Sequence, residues 1–165
     1  MKKVNILGLV LLMVVVLLTA LVVPAHAAWS EKITGGGQAT AGVTFGITVS
    51  AWTSDGGEEA GQMEYSRVGQ SVPDLSIHAK IKCVGIHSNG DVAVVAGPAD
   101  VQNDPDGLVG SGAWMVVEIL EGGVGSGDRV RVRLMSETDA RYVCDHPSGS
   151  FPGLIYDGNF NIRLK

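Results

Sequence analysis

Charge, aromatic side chains and helical spacing are all scarce in this chain. Aromatics make up 5% and charged residues 18% of its 165 positions. So little charge beside 45% hydrophobic residues excludes a disordered chain. A positive excess is missing too. The formal net charge is −5, which leaves no electrostatic footprint for nucleic-acid binding. Cysteine is limited to Cys83 and Cys144. Neither stands in a C-x-x-C or zinc-ligand spacing, which argues against redox catalysis and structural zinc. No serine occupies a G-x-S-x-G turn, so the hydrolase elbow is absent. Past residue 27, no stretch of ten residues repeats its apolar side chains at helical spacing. What is abundant is glycine, 23 residues in all. Each one weakens a helix by about 1 kcal/mol relative to alanine, so the composition points to a β protein with many turns. The length suits one domain.

Residues 1–27 read as an export signal and residues 28–165 as the exported β domain. Lys2 and Lys3 open the chain, an apolar run follows, Pro24 ends it, and Ala25-His26-Ala27 supplies a small-x-small cleavage site. Cleavage is expected after Ala27. The run is also just long enough to span a bilayer, so a retained anchor is the alternative. Cleavage would remove two of the 12 basic residues and none of the 17 acidic ones, making the remainder more acidic. The expected location is secreted, periplasmic or at the cell surface. Both cysteines fall in the exported part, where an even count points to a Cys83–Cys144 disulfide. Closing a loop of about 60 residues would stabilise the fold by roughly 4 kcal/mol in the chain-entropy description.

The dominant period is two. Val43, Phe45, Ile47 and Val49 alternate with polar or small residues, as do Met63 and Tyr65. Leu75, Ile77, Ala79, Ile81 and Cys83 form one face of a further strand. The phase then flips, since Val84 and Ile86 are also apolar, and a bulge near Cys83 would account for the flip. Asn89-Gly90 suits a type I′ hairpin turn, with residues 92–96 returning. Residues 97–112 read as a loop. Residues 114–120 are apolar on both faces except Glu118, as in a well-covered central strand. Val130, Val132 and Leu134 alternate with Arg129, Arg131 and Arg133. A short strand at 142–144 and a final pair of strands about an Asp157-Gly158 turn complete the pattern. About eight strands of this kind make an antiparallel β-sandwich or β-barrel, and alternation alone does not separate the two.

Several segments in order carry a resemblance. They are Ile33-Thr34-Gly35-Gly36-Gly37, Thr44-Phe45-Gly46, Ile81-Lys82-Cys83-Val84-Gly85-Ile86, Ala93-Val94-Val95-Ala96-Gly97, residues 128–134 after a glycine loop, and Gly158-Asn159-Phe160-Asn161-Ile162. In this order the chain resembles an uncharacterised family of exported bacterial β domains. The resemblance implies an exported domain, found alone or attached to cell-surface proteins. It brings no reaction and no catalytic residues.

Individual residues offer some chemistry. The glycines of residues 122–127 are spaced like a phosphate loop, but the strand-like residues after them supply no helix N-terminus, so a hairpin loop is the better reading. Asp100, Asn103, Asp104 and Asp106 gather hard oxygen ligands in one segment and are the calcium candidates, although no glutamate completes the ring. Solvated loop acids are the alternative. His78, His87 and His146 remain after cleavage. The disulfide would bring His146 toward the Cys83 strand and His87, where a two-histidine metal site competes with ordinary surface histidines. Glu58-Glu59 has no defined separation for glycoside chemistry. Arg129, Arg131 and Arg133 form a stripe that could bind a glycan polyanion or lipid headgroup, with Arg163 and Lys165 joining if the last strand is a neighbour. Cross-strand acids pairing with the stripe are the competing explanation.

These features favour a secreted, non-catalytic β domain with a binding or structural role at or outside the cell surface. Its partners would be an extracellular glycan or protein, with no nucleic acid and no membrane after cleavage. One alternative is a barrel holding a small apolar ligand; another is an enzyme using the loop acids with His87 or His146.

Overall fold

A computed structural model of the chain describes residues 29–40, 43–69, 72–122, 127–149 and 152–164. The segment expected to be an export signal, residues 123–126 of the glycine loop and Lys165 lie outside these. The described residues form nine strands and one helix. The strands are β1 (Trp29–Thr40), β2 (Thr44–Ser54), β3 (Glu59–Gly69), β4 (Val72–Lys80), β5 (Cys83–Ile86), β6 (Val92–Asn103), β7 (Trp114–Leu120), β8 (Asp128–Met135) and β9 (Leu154–Leu164). The helix, α1 (Glu137–Asp145), lies between β8 and β9.

All pairings are antiparallel. The order is β4-β3-β2-β1-β9-β8-β7-β6, and β6 pairs back onto β4, which closes an eight-stranded barrel. The ninth strand, β5, pairs with the first half of β6. Of the two architectures that alternation allowed, the barrel is the one formed. Its interior is filled by Ile33, Ile47, Val49, Met63, Ile77, Val95, Met115, Val117, Ile119 and their neighbours, with Tyr156 and Phe160 as large aromatic members. An eight-stranded barrel is just wide enough to be filled by its own side chains.

The expected bulge is present and explains how one strand serves two cores. Ala79 pairs with Ala99 and Cys83 with Ala96, so three residues lie between the pairs on one side and two on the other. The extra residue falls at Ile81–Lys82 and flips the phase. Ile81 still points into the barrel, whereas Cys83 points outward, so the change of phase falls before Cys83 and not after it as the sequence pattern placed it. Val84 and Ile86 return to the barrel core.

Outside the wall, Cys83, Val94, Ala96, Trp114 and Val116 form a second apolar cluster with Ala140 and Cys144 of α1. Here the expected short strand at 142–144 is corrected to a helix. Ser136 caps it by accepting a hydrogen bond from the Asp139 N–H at 3.2 Å, and Glu137 pairs with Arg141 one turn on at 2.9 Å. Cys144 bonds to Cys83 with a Cα–Cα separation of 6.2 Å, pinning the helix to β5. The helix comes so close that a Cβ on Gly85 would strike the Cys144 carbonyl oxygen, so this position requires glycine. The double covering is why β7 is apolar on both faces.

Other expectations are corrected as well. Residues 29–40, absent from the strand pattern, form β1. The loop expected at 97–112 begins later, because β6 runs on to Asn103. Pro98 is tolerated inside it. Ala99 N–H donates to Ala113 on the β7 side, so the N–H that proline lacks would face the point where β6 changes partner from β5 to β4. Asn89-Gly90 is not a type I′ turn, since only Gly90 has positive φ, at 79°; the Gly90 N–H closes the turn onto His87 O. Asp157-Gly158 is not a turn either. Both residues are paired with β1 inside a continuous β9.

Replacing both cysteines by alanine should lower the unfolding free energy by about 4 kcal/mol, measured by urea denaturation. Near-ultraviolet circular dichroism should at the same time report loosened packing around Trp114, while the far-ultraviolet β signal persists.

Candidate functional site

The arginine stripe is real but largely neutralised. Arg129, Arg131 and Arg133 share the outer face of β8. Glu118, directly opposite Arg131 on β7, is only 1% exposed. Arg131 grips it with two parallel bonds of 2.5 and 2.6 Å, and Arg133 adds a third of 2.9 Å. Fork geometry of this kind suits a guanidinium and a carboxylate. Arg129 is exposed beyond them. Arg163 does not extend the stripe: it is paired with Lys32 of β1, at the far end of β9, and bonds Asn161.

The calcium candidates are distributed along β6 and the loop after it. Asp100 and Asn103 are on the strand, and Asn103 donates to the Asp74 carbonyl at 2.8 Å. The two oxygens of Asp104 accept the N–H groups of Val109 at 2.7 Å and Leu108 at 2.9 Å. Those bonds hold its carboxyl below the usual carboxylate range. Asp106 is exposed in the loop. Among the described residues no group of three or more histidine, cysteine or acidic side chains is arranged to hold a metal. His78 lies on β4, and the other two histidines are engaged locally. His87 bonds Asn89 and packs beside Gly149, whereas His146 stacks on Tyr142 and bonds its carbonyl.

Three acids that the sequence did not single out hold the barrel's lower end, where β3 and β8 begin and β7 and β9 finish. Asp128 accepts N–H bonds from Gly122 at 2.9 Å and Phe160 at 2.7 Å. Glu121 accepts from Ile162 at 2.5 Å, and Glu59 from Val84 at 2.9 Å. Strand β8 pairs with β9 only over Asp128–Val130. Beyond that seam the β9 N–H groups would be orphaned, and carboxylates take the place of the missing strand. Nothing in a one-dimensional pattern shows which acid faces an unpaired strand edge.

The upper end is different in chemistry. Here Phe45, Tyr65, Val130, Val132, Leu154 and Tyr156 line a cleft of about 310 Å³. A second cleft of about 230 Å³ shares Tyr65 and Val132 and continues past Arg67, Leu75, Leu108 and Leu134. Phe45 and Tyr65 stack at 6.5 Å between centroids. The rim leaves Leu108 53%, Leu134 37% and Leu154 38% exposed. This mouth was not found from the sequence, because its lining comes from the ends of β2, β3, β4, β8 and β9 and from one loop. Here the barrel presents apolar side chains together to solvent.

Two phenols belong to the mouth. Burial pushes Tyr156 up to about 12, with the neighbouring Tyr65 adding to the rise. Burial also raises Tyr65, against the pull of Arg67. The folded chain therefore holds the Tyr156 proton more tightly than the unfolded one, whose phenol ionises near 10.0. That stabilisation is complete below pH 10 and is lost as pH rises toward 12. Over this window the wild type should lose stability relative to Tyr156→Phe, followed by urea midpoints and phenolate absorbance. Separately, Glu118→Ala should cost about 3 kcal/mol, because it leaves two guanidinium groups over an apolar wall; thermal and urea unfolding measure it.

Comparison with protein-family models, curated proteins and solved structures finds no match to this chain.

Proposed function

We propose that this chain is an exported, non-catalytic β-barrel module that binds a partner at or outside the cell surface, and that the upper mouth is its binding end. The disulfide supports an oxidising location, since such bonds persist outside the reducing cytosol. The export signal and the resemblance to exported bacterial β domains support the finer reading. No helix among the described residues is long and apolar enough to cross a membrane.

The mouth is the observation that carries the proposal. Below it the interior is filled by side chains, whereas the upper end leaves an aromatic and aliphatic cleft open. Clefts of about 300–1,000 Å³ with apolar walls and a few polar groups are the usual form of a small-molecule site. The smaller-ligand alternative thus moves from the barrel interior to its end. Non-catalytic action is supported by how the acids are used: Asp104, Glu118, Glu121 and Asp128 each hold backbone or guanidinium groups in place.

Intact mass of the exported protein should correspond to residues 28–165 with both thiols oxidised. A neutral fluorescent probe, N-phenyl-1-naphthylamine, should bind the folded protein at one equivalent. Leu154→Ser and Leu108→Ser should each weaken that binding several-fold without altering the fold. Probe binding that is indifferent to both substitutions would remove the mouth as the binding end. Turnover abolished by alanine at Asp104, His87 or His146 in a hydrolase screen would instead favour the enzyme alternative.

A further inference from the structure

We infer that the mouth selects an anionic amphiphile, a single-chain carboxylate or phosphate ester with an aliphatic tail, whose head is held by Arg67. The inference rests on the mouth being the binding end. Arg67 follows Met63 and Tyr65 on the inward register of β3, so it stands at the top of the barrel interior, opposite Phe45 on β2 and Leu75 on β4. It lines the second cleft. One arm of its guanidinium is tethered, with Nη2 donating to the Pro73 carbonyl at 3.1 Å. Its Nε is buried and has no hydrogen-bond partner among the described residues. A buried N–H donor without an acceptor is costly, more so on a charged group, so an oxygen anion delivered to this position recovers that cost.

The nearby acid does not fill the role. Asp104 feels the Arg67 charge, but both its oxygens are taken by the Leu108 and Val109 N–H groups. Arg133 lines the same cleft and also has a buried Nε without a partner, while its Nη2 holds Glu118. With Arg133 committed to Glu118, Arg67 carries the cationic character of the cleft even though the whole chain is acidic. The rest of the lining is Leu75, Ile77, Leu108, Val132 and Leu134, continuous through Tyr65 with the aromatic cleft. A charged head at Arg67 and an unbranched tail along these side chains satisfy both kinds of surface at once. A fully polar anion would leave the leucines wet, and an uncharged hydrocarbon would leave the Nε unpaired.

Isothermal titration and native mass spectrometry of the full exported chain would test this with three monomeric probes of equal tail length: dodecanoate, dodecanol and dodecyltrimethylammonium. One equivalent of dodecanoate should bind at least tenfold more tightly than dodecanol, and the cation should bind more weakly than either. Arg67→Gln should erase the preference for dodecanoate, and Arg67→Lys should restore part of it. Leu108→Ser should weaken dodecanoate and dodecanol alike. Equal affinity for dodecanoate and dodecanol would overturn the anion assignment while leaving the mouth intact. An unchanged preference in Arg67→Gln with native folding would overturn the role of Arg67. Binding of none of the monomers, or binding only to anionic phospholipid vesicles, would overturn the proposal outright; the neutral naphthylamine probe reports separately on the mouth itself.

Discussion

Closure of the barrel depends on β6 changing partner along its length. Its first half pairs with β5 and its second half with β4, and those two strands are one chain segment broken by a single extra residue. Without the bulge at Ile81–Lys82, Cys83 would share the inward phase of Ile81. A cysteine inside the barrel could not meet a helix packed outside it. The one-residue insertion thus sets both the closure of the wall and the position of the cross-link. Pro98 falls where the partner changes, so its missing N–H removes no ladder bond.

From that placement follows the unusual wall of β5, β6 and β7. Its inner face belongs to the barrel and its outer face to α1, so Val92, Ala93, Val94, Val95 and Ala96 are all buried. Where the helix cover ends, Glu118 continues the outer row. A carboxylate there is tolerable only because two guanidinium groups from β8 cap it. The arginine alternation that looked like a binding stripe is, over Arg131 and Arg133, the roof of a buried acid.

Strand alternation made much of the wall legible from the residues alone. Phe45 to Val49, Leu75 to Ala79 and Arg129 to Leu134 lie on strands with the expected inward faces, because each buries one face and wets the other. Two signals were present but weak. Ser136 and Asp139 form a capping pair at the start of α1, yet nine residues are too few to establish a helical period against a strand-rich background. Gly35-Gly36-Gly37 interrupts the alternation of β1 with residues that have no side chain to place. The mouth had no local signature at all. Phe45, Tyr65, Leu108 and Tyr156 are separated widely in sequence, and only closure brings them to one end.

The two ends of the barrel then differ in what opening them would cost. At the lower end, carboxylates of Asp128, Glu121 and Glu59 hold backbone N–H groups of other strands, so separation there would strand buried donors and acceptors together. At the upper end Asp104 holds Leu108 and Val109 within one loop, Asn103 of β6 bonds Asp74 of β4, and Arg67 of β3 bonds Pro73 of β4. The groups facing one another across the opening are Phe45, Tyr65, Val132, Leu154 and Tyr156, joined by non-directional contacts. Such contacts are replaced without loss when an apolar tail enters, because area withdrawn from water counts equally whichever molecule covers it. On the proposed reading, a barrel built this way would take an occupant at its top while the ladder and the lower ties stay intact.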